Sequence, residues 1–219
     1  MMMSTRVLFR TAMAIIAFAL LAAAEDLADI SLPAPRTEGG KPLMQTLKER
    51  RSVRSFRADT LPMQTLSDLL WAAFGINRSE SGKRTAPSAR NWQEVEVYVI
   101  LENGAYLYDP KALTLKAVVK GDLRPVTGAQ KFVASAPLNL VYVADIAKMK
   151  GTPDDITLIS GADVGFISQN VYLFCASQGL GTVVRGSVNR EATAKALKLS
   201  GKKKVILAQT VGYPGANAE

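Results

Sequence analysis

The sequence contains no histidine and a single cysteine, Cys175. Those two shortages close several routes to catalysis. A Ser-His-Asp or Cys-His relay cannot be assembled, nor can a histidine-ligated zinc or iron site. One cysteine makes no intramolecular disulfide and no thiolate cluster, and its place in an apolar helical run reads as a buried, inert thiol. Redox chemistry in this chain would have to be brought by a bound cofactor. Interleaved basic and aromatic residues of the kind that stack nucleobases are also missing, so nucleic acid is not an expected partner.

What is present is a chain of 219 residues, 48% hydrophobic and 21% charged. That is an ordinary globular composition, long enough for one domain with a real core. The formal charge of +8 suits anionic ligands such as phosphates. At the N-terminus Arg6 and Arg10 accompany a near-continuous apolar run that closes on Ala22-Ala23-Ala24. This reads as a signal peptide over residues 1–24, and hence as export to the periplasm. The run is shorter than the roughly 20 residues a bilayer-spanning helix needs, so no stable membrane span is expected after cleavage.

Prolines and glycines between residues 25 and 42 mark an extended leader, followed by one domain over residues 43–219. A helix is expected from Leu43 to Arg51 with Leu43, Met44 and Leu47 on its apolar face. A second follows Pro62, carries Leu66, Leu69, Leu70, Ala73 and Phe74 at helical spacing, and stops at Gly75. Val95, Val97, Val99 and Leu101 alternate with other residues, which predicts a strand buried more on one face; Asn103-Gly104 then turns a hairpin. Leu138 to Ala144 reads as an inner strand. Asp155 to Gln178 reads as a long helix needing cover from the sheet or a second subunit, capped by Gly179. Thr182 to Val184 and Val205 to Val211 read as strands, and Arg190 to Leu199 as a helix. Helices and strands are interspersed with a hairpin, so the expected class is α+β with a mixed β-sheet flanked by helices.

Three segments carry candidate chemistry. Arg50-Arg51-Ser52-Val53-Arg54 offers bidentate guanidinium groups and a hydroxyl, a donor set suited to a phosphate dianion. On an extended chain Arg50, Ser52 and Arg54 would share a face; a solvated basic surface is the competing reading. Pro87-Ser88-Ala89-Arg90-Asn91-Trp92-Gln93 is a polar segment ahead of a strand, and Gly179-Leu180-Gly181-Thr182-Val183-Val184-Arg185-Gly186 follows the long helix. The last lacks the full spaced glycine fingerprint of a dinucleotide site.

In this order and at these separations the three segments resemble the nitroreductase family of FMN-dependent oxidoreductases, over roughly residues 43 to 214. The resemblance implies an intertwined homodimer with one FMN at each subunit interface. It implies that Arg50, Arg51, Ser52 and Arg54 hold the FMN phosphate and ribityl chain, with Arg54 at the N1/O2 edge. Pro87, Ser88, Ala89 and Asn91 would come from the partner subunit. Val184, Arg185 and Gly186 would lie along the ring, a backbone N–H at Arg185-Gly186 meeting N5, and no catalytic side chain is expected. Gln130 would approach the pyrimidine edge, against the alternative of a solvent-facing glutamine. The implied reaction is ping-pong hydride transfer from NAD(P)H or another donor, through flavin N5, to a small conjugated acceptor such as a quinone or nitroaromatic.

Two departures bear on that reading. Glu94-Val95 stand where the family usually has Pro-Trp, as in the branch resembling thiazole/oxazole-forming peptide dehydrogenases. No basic residue follows Val211-Gly212-Tyr213-Pro214, which leaves the phosphate to Arg50, Arg51 and Ser52. Two alternatives therefore stay open: FMN-dependent oxidation of a peptide azoline-like substrate, and an exported FMN-binding module without turnover.

Overall fold

The computed structural model of the chain describes residues 26–216. The expected signal peptide lies outside them. Among the described residues no helix is long and apolar enough to cross a membrane.

The leader does more than extend. Ile30–Ser31 forms strand β1 and Leu32 is buried in the main core, while Ser67 Oγ donates to the Pro33 carbonyl at 2.6 Å. Helix α1 covers Leu43–Glu49, two residues short of expectation, because Arg50 turns extended at φ −56°, ψ 123°. Its apolar face is real but faces outward: Leu43, Met44 and Leu47 are exposed, and Thr46 is its buried residue. Helix α2, Met63–Phe74, starts after Pro62 and ends at Gly75, as its pattern requires. A small hairpin follows, of β2 (Ile76–Arg78) and β3 (Lys83–Arg84).

The main sheet is built from β1, β4 (Val95–Leu101), β5 (Gly104–Asp109), β6 (Thr114–Lys120), β7 (Leu138–Asp145), β8 (Gly181–Arg185) and β9 (Lys203–Gly212). Its order is β1-β6-β5-β4-β7-β9-β8. The α+β class holds, but every pairing among these described strands is antiparallel, where a mixture of directions was expected. Tight turns join β4, β5 and β6, and the longer connections enter β7, β8 and β9 from the end that keeps neighbours opposed.

Two cores result, one on each face of the sheet. Val95, Val97, Val99, Leu140 and Tyr142 meet α2 residues and helix α4 (Pro153–Gln178) on one side. Tyr98, Ile100, Val141, Val143 and Val205 pack with Leu197, just past helix α5 (Arg190–Ala196), on the other. Strand β4 is therefore buried on both faces, not mainly one, because it lies inside the sheet with cover on each side. A short helix, α3 (Lys131–Ser135), leads into β7.

Helix α4 is about 39 Å long at 1.5 Å per residue. A reciprocal Thr152–Asp155 capping box opens it, and Gly179 closes it in the left-handed region at φ 71°, where a side chain would be strained. Val164, Ile167, Val171 and Cys175 face the core, whereas Leu158 and Phe166 stand exposed.

Candidate functional site

The segment after α1 runs extended along the open edge of β8. Val53 N–H donates to the Thr182 carbonyl at 2.9 Å, and Gly181 lies so close to Val53 that an added Cβ would stand 2.7 Å from Cγ1. Further on, Arg57 N–H donates to Tyr213 O and Gly215 N–H to Ser55 O, so the chain end clasps the same segment. With Val53 turned into the core, alternation directs its neighbours the other way.

Arg50 and Ser52 then converge on one residue, Tyr172 of α4. The Arg50 guanidinium lies 5.2 Å from the Tyr172 ring centroid, and Ser52 Oγ is 2.8 Å from the phenolic oxygen. The same oxygen accepts the Val184 N–H at 3.0 Å. Tyr172 thus ties the first candidate segment to the third. Nothing in the linear sequence marks Tyr172 beyond its being a hydroxyl-bearing residue one helical turn from Cys175.

Arg50 and Tyr172 line a cleft of about 530 Å³ whose walls also include Lys41, Lys48, Arg51, Cys175 and Thr182. Lys48 and Lys41 are cations that sequence reasoning missed. Lys41 is bonded to Glu49 at 2.6 Å, so Lys48 adds to Arg50 and Arg51 as a source of positive potential. Cys175 is fully buried, and burial pushes its thiol well above its usual range, in keeping with an inert group. Arg54 is exposed, outside this cleft's walls, and has no hydrogen bond or ion pair among the described residues.

The third segment divides its duties by alternation. Val184 N–H and Thr182 O point to the open edge, so Arg185, which pairs with Ala208, directs its backbone toward β9. Continuing the alternation puts the outward donor at Gly186. The Arg185 side chain is buried: its guanidinium donates to Thr127 O at 2.7 Å, and to Thr210 Oγ1 and Asn139 Oδ1 at 3.1 Å each. That clamp brings the segment ahead of α3 beside β8. Gln130, on that segment, is half-buried, and its Oε1 has no hydrogen-bond partner.

The second segment does not join them within one chain. Its backbone is strained, with Arg90, Asn91 and Gln93 at φ 52°, 55° and 47°, a combination that concentrates at working sites. Ser88 Oγ accepts the Gln93 N–H at 3.0 Å, Asn91 Oδ1 accepts from Gln93 Nε2 at 3.0 Å, and Pro87 is exposed. Ala89 N–H donates to Asp163 Oδ2 at 2.9 Å, which anchors the loop to α4 about 14 Å along the helix from Tyr172. Behind the loop, Glu94 is buried beside Asp163, a second carboxylate, with no cationic partner hydrogen-bonded to either of its oxygens.

Residues 47–213 match the Nitroreductase family profile, most of the chain. This chain belongs to the nitroreductase family. It is thereby an FMN-dependent oxidoreductase by family. A candidate nitroreductase of Methanocaldococcus jannaschii is 32% identical over 181 residues, 78% of this chain and 90% of that one. The crystal structure of a candidate nitroreductase from Ralstonia eutropha JMP134 is 44% identical and superposes with a TM-score of 0.84, covering 90% and 94% of the two chains. The NADPH:FMN oxidoreductase of Vibrio harveyi, solved with NAD+, shares the fold at 22% identity and a TM-score of 0.60, over 80% of this chain and 70% of that one.

These residues fit a flavin nucleotide of this family. The cleft offers guanidinium, ammonium and hydroxyl donors for a phosphate, and the orphaned Gln130 oxygen is an acceptor of the kind that an imide N–H such as that of a flavin pyrimidine ring requires.

Proposed function

We propose that this chain acts as an exported homodimer that uses FMN to move hydride from a nicotinamide donor to a small conjugated acceptor of the quinone or nitroaromatic kind. The observation that carries this reading is the Ser52–Tyr172–Val184 link, which ties the arginine segment to the edge of β8 through a residue in the wall of the basic cleft. FMN, when bound, supplies the hydride-accepting and hydride-donating centre. Arg50, Arg51 and Ser52, aided by Lys48, would bind its phosphate, and the Gly186 N–H would orient its ring edge. Gln130 would accept from the pyrimidine side.

The homodimer is supported by the unfinished state of a single chain. Leu43, Met44 and Leu47 on α1 and Leu158 and Phe166 on α4 form apolar surface with no cover. The loop of Pro87, Ser88, Ala89 and Asn91 projects at the far part of α4, where it can reach the cleft of a second copy but not its own. Export rests on Arg6, Arg10 and the apolar run closed by Ala22-Ala23-Ala24.

The visible spectrum of the purified protein, recorded before and after adding FMN and washing, tests the cofactor. A retained flavin spectrum near one FMN per chain is the expected result; colourless protein that takes up no FMN overturns the reading. Steady-state assay with NADPH and a quinone then separates an enzyme from a carrier. Turnover is expected, and tight FMN without turnover would assign a binding module.

A further inference from the structure

Arg185 is only 4% exposed, and the three acceptors of its guanidinium are a backbone carbonyl, a hydroxyl and an amide, all neutral. Among the described residues no carboxylate forms an ion pair with it. Desolvation lowers its pKa to about 10, which leaves it charged at neutral pH. A buried cation without a counter-ion costs stability, and a neutral side chain of similar volume would fill the space without that cost. Packing alone gives no reason for the charge.

Its position does. One guanidinium nitrogen holds the Thr127 carbonyl, and an added Cβ at Gly128 would overlap Nη1, so this loop is shaped around the charge. The loop continues to the orphaned oxygen of Gln130, while the backbone of Arg185 continues to Gly186. The charge is therefore shared between the two chain segments that face the cofactor in the reading above, on which this inference rests.

We infer that Arg185 is a tuning residue: its uncompensated guanidinium, clamping residues 127–130 to β8, favours the reduced, anionic form of FMN over the oxidised form. A hydride brings two electrons and one proton to the ring, so reduction adds one net negative charge. Arg185 offsets that charge without a proton from solvent. In the desolvated interior such a field acts more strongly than it would in water.

The test compares FMN-loaded wild type with R185M, R185K and N139D by spectroelectrochemical titration. Asn139 accepts from the guanidinium at 3.1 Å, so N139D places a carboxylate against it and neutralises the charge while keeping the arginine. R185M and N139D are each expected to lower the preference for reduced over oxidised FMN about tenfold, a fall of about 30 mV in a two-electron midpoint potential. R185K, which keeps the charge, is expected to hold the wild-type potential. Bound FMN with an unchanged potential in N139D overturns the inference, and this variant decides if R185M does not fold. Wild-type protein that binds no FMN overturns the site reading itself, a result distinct from an unchanged potential.

Discussion

The phenolic oxygen of Tyr172 stands 2.8 Å from Ser52 Oγ, joining the long helix to the extended arginine segment. In Y172F the Val184 N–H loses its acceptor and Ser52 loses its orienting partner. The expected cost is about 1–3 kcal/mol of folding stability, together with weaker FMN binding. Urea unfolding and FMN titration read the two effects separately; unchanged FMN affinity would leave Tyr172 a packing residue only.

Arg50 and Ser52 should matter through the cofactor. R50A and S52A are each expected to cost roughly 1.5–3 kcal/mol of FMN affinity, the range for a hydrogen bond to a charged group. K48A should cost less, because an ammonium in an open cleft is well hydrated. Quenching of FMN fluorescence on binding measures all three. If R50A and S52A both bind FMN like the wild type, the phosphate sits elsewhere.

The pair behind the strained loop predicts a pH dependence. Burial, with the charge of neighbouring Asp163 adding to it, pushes Glu94 from 4.5 up to about 7. Between those values the folded protein keeps a proton that the unfolded chain has released. This carboxyl's contribution to stability is therefore fully present below 4.5, falls as pH rises through the window, and is lost above about 7, a change of roughly 3 kcal/mol. Because Asp163 also holds Ala89 at 2.9 Å, the change should loosen the loop. E94Q is expected to flatten the slope; urea midpoints measured at about pH 4 and about pH 8 would show it.

A charge placed on the exposed apolar surface should separate the proposed dimer. F166E on α4 would bury an unpaired carboxylate at the contact, costing several kcal/mol of association. The expected species by sedimentation is a folded monomer with weakened FMN binding. A wild-type protein that sediments as a monomer, or F166E that stays dimeric with full FMN affinity, would remove Phe166 from the interface.

Much of the site was legible in the order of residues because it depends on local geometry and side-chain chemistry. The alternation of Arg50 and Ser52, the Gly179 cap and the turn at Asn103-Gly104 follow from short-range sterics and hydrogen-bonding capacity. Other features required the folded chain. Tyr172 joins the site because α4 passes over the edge of β8, and Arg185 turns inward because its register with Ala208 sets which way it faces. The uniform antiparallel sheet, and the burial of β4 on both faces, depend on which strands become neighbours. Those are contacts between residues far apart in sequence, selected by the free energy of burying both faces at once. Side-chain chemistry, readable residue by residue, named the groups able to hold an anionic cofactor; which of them meet follows from packing between distant segments.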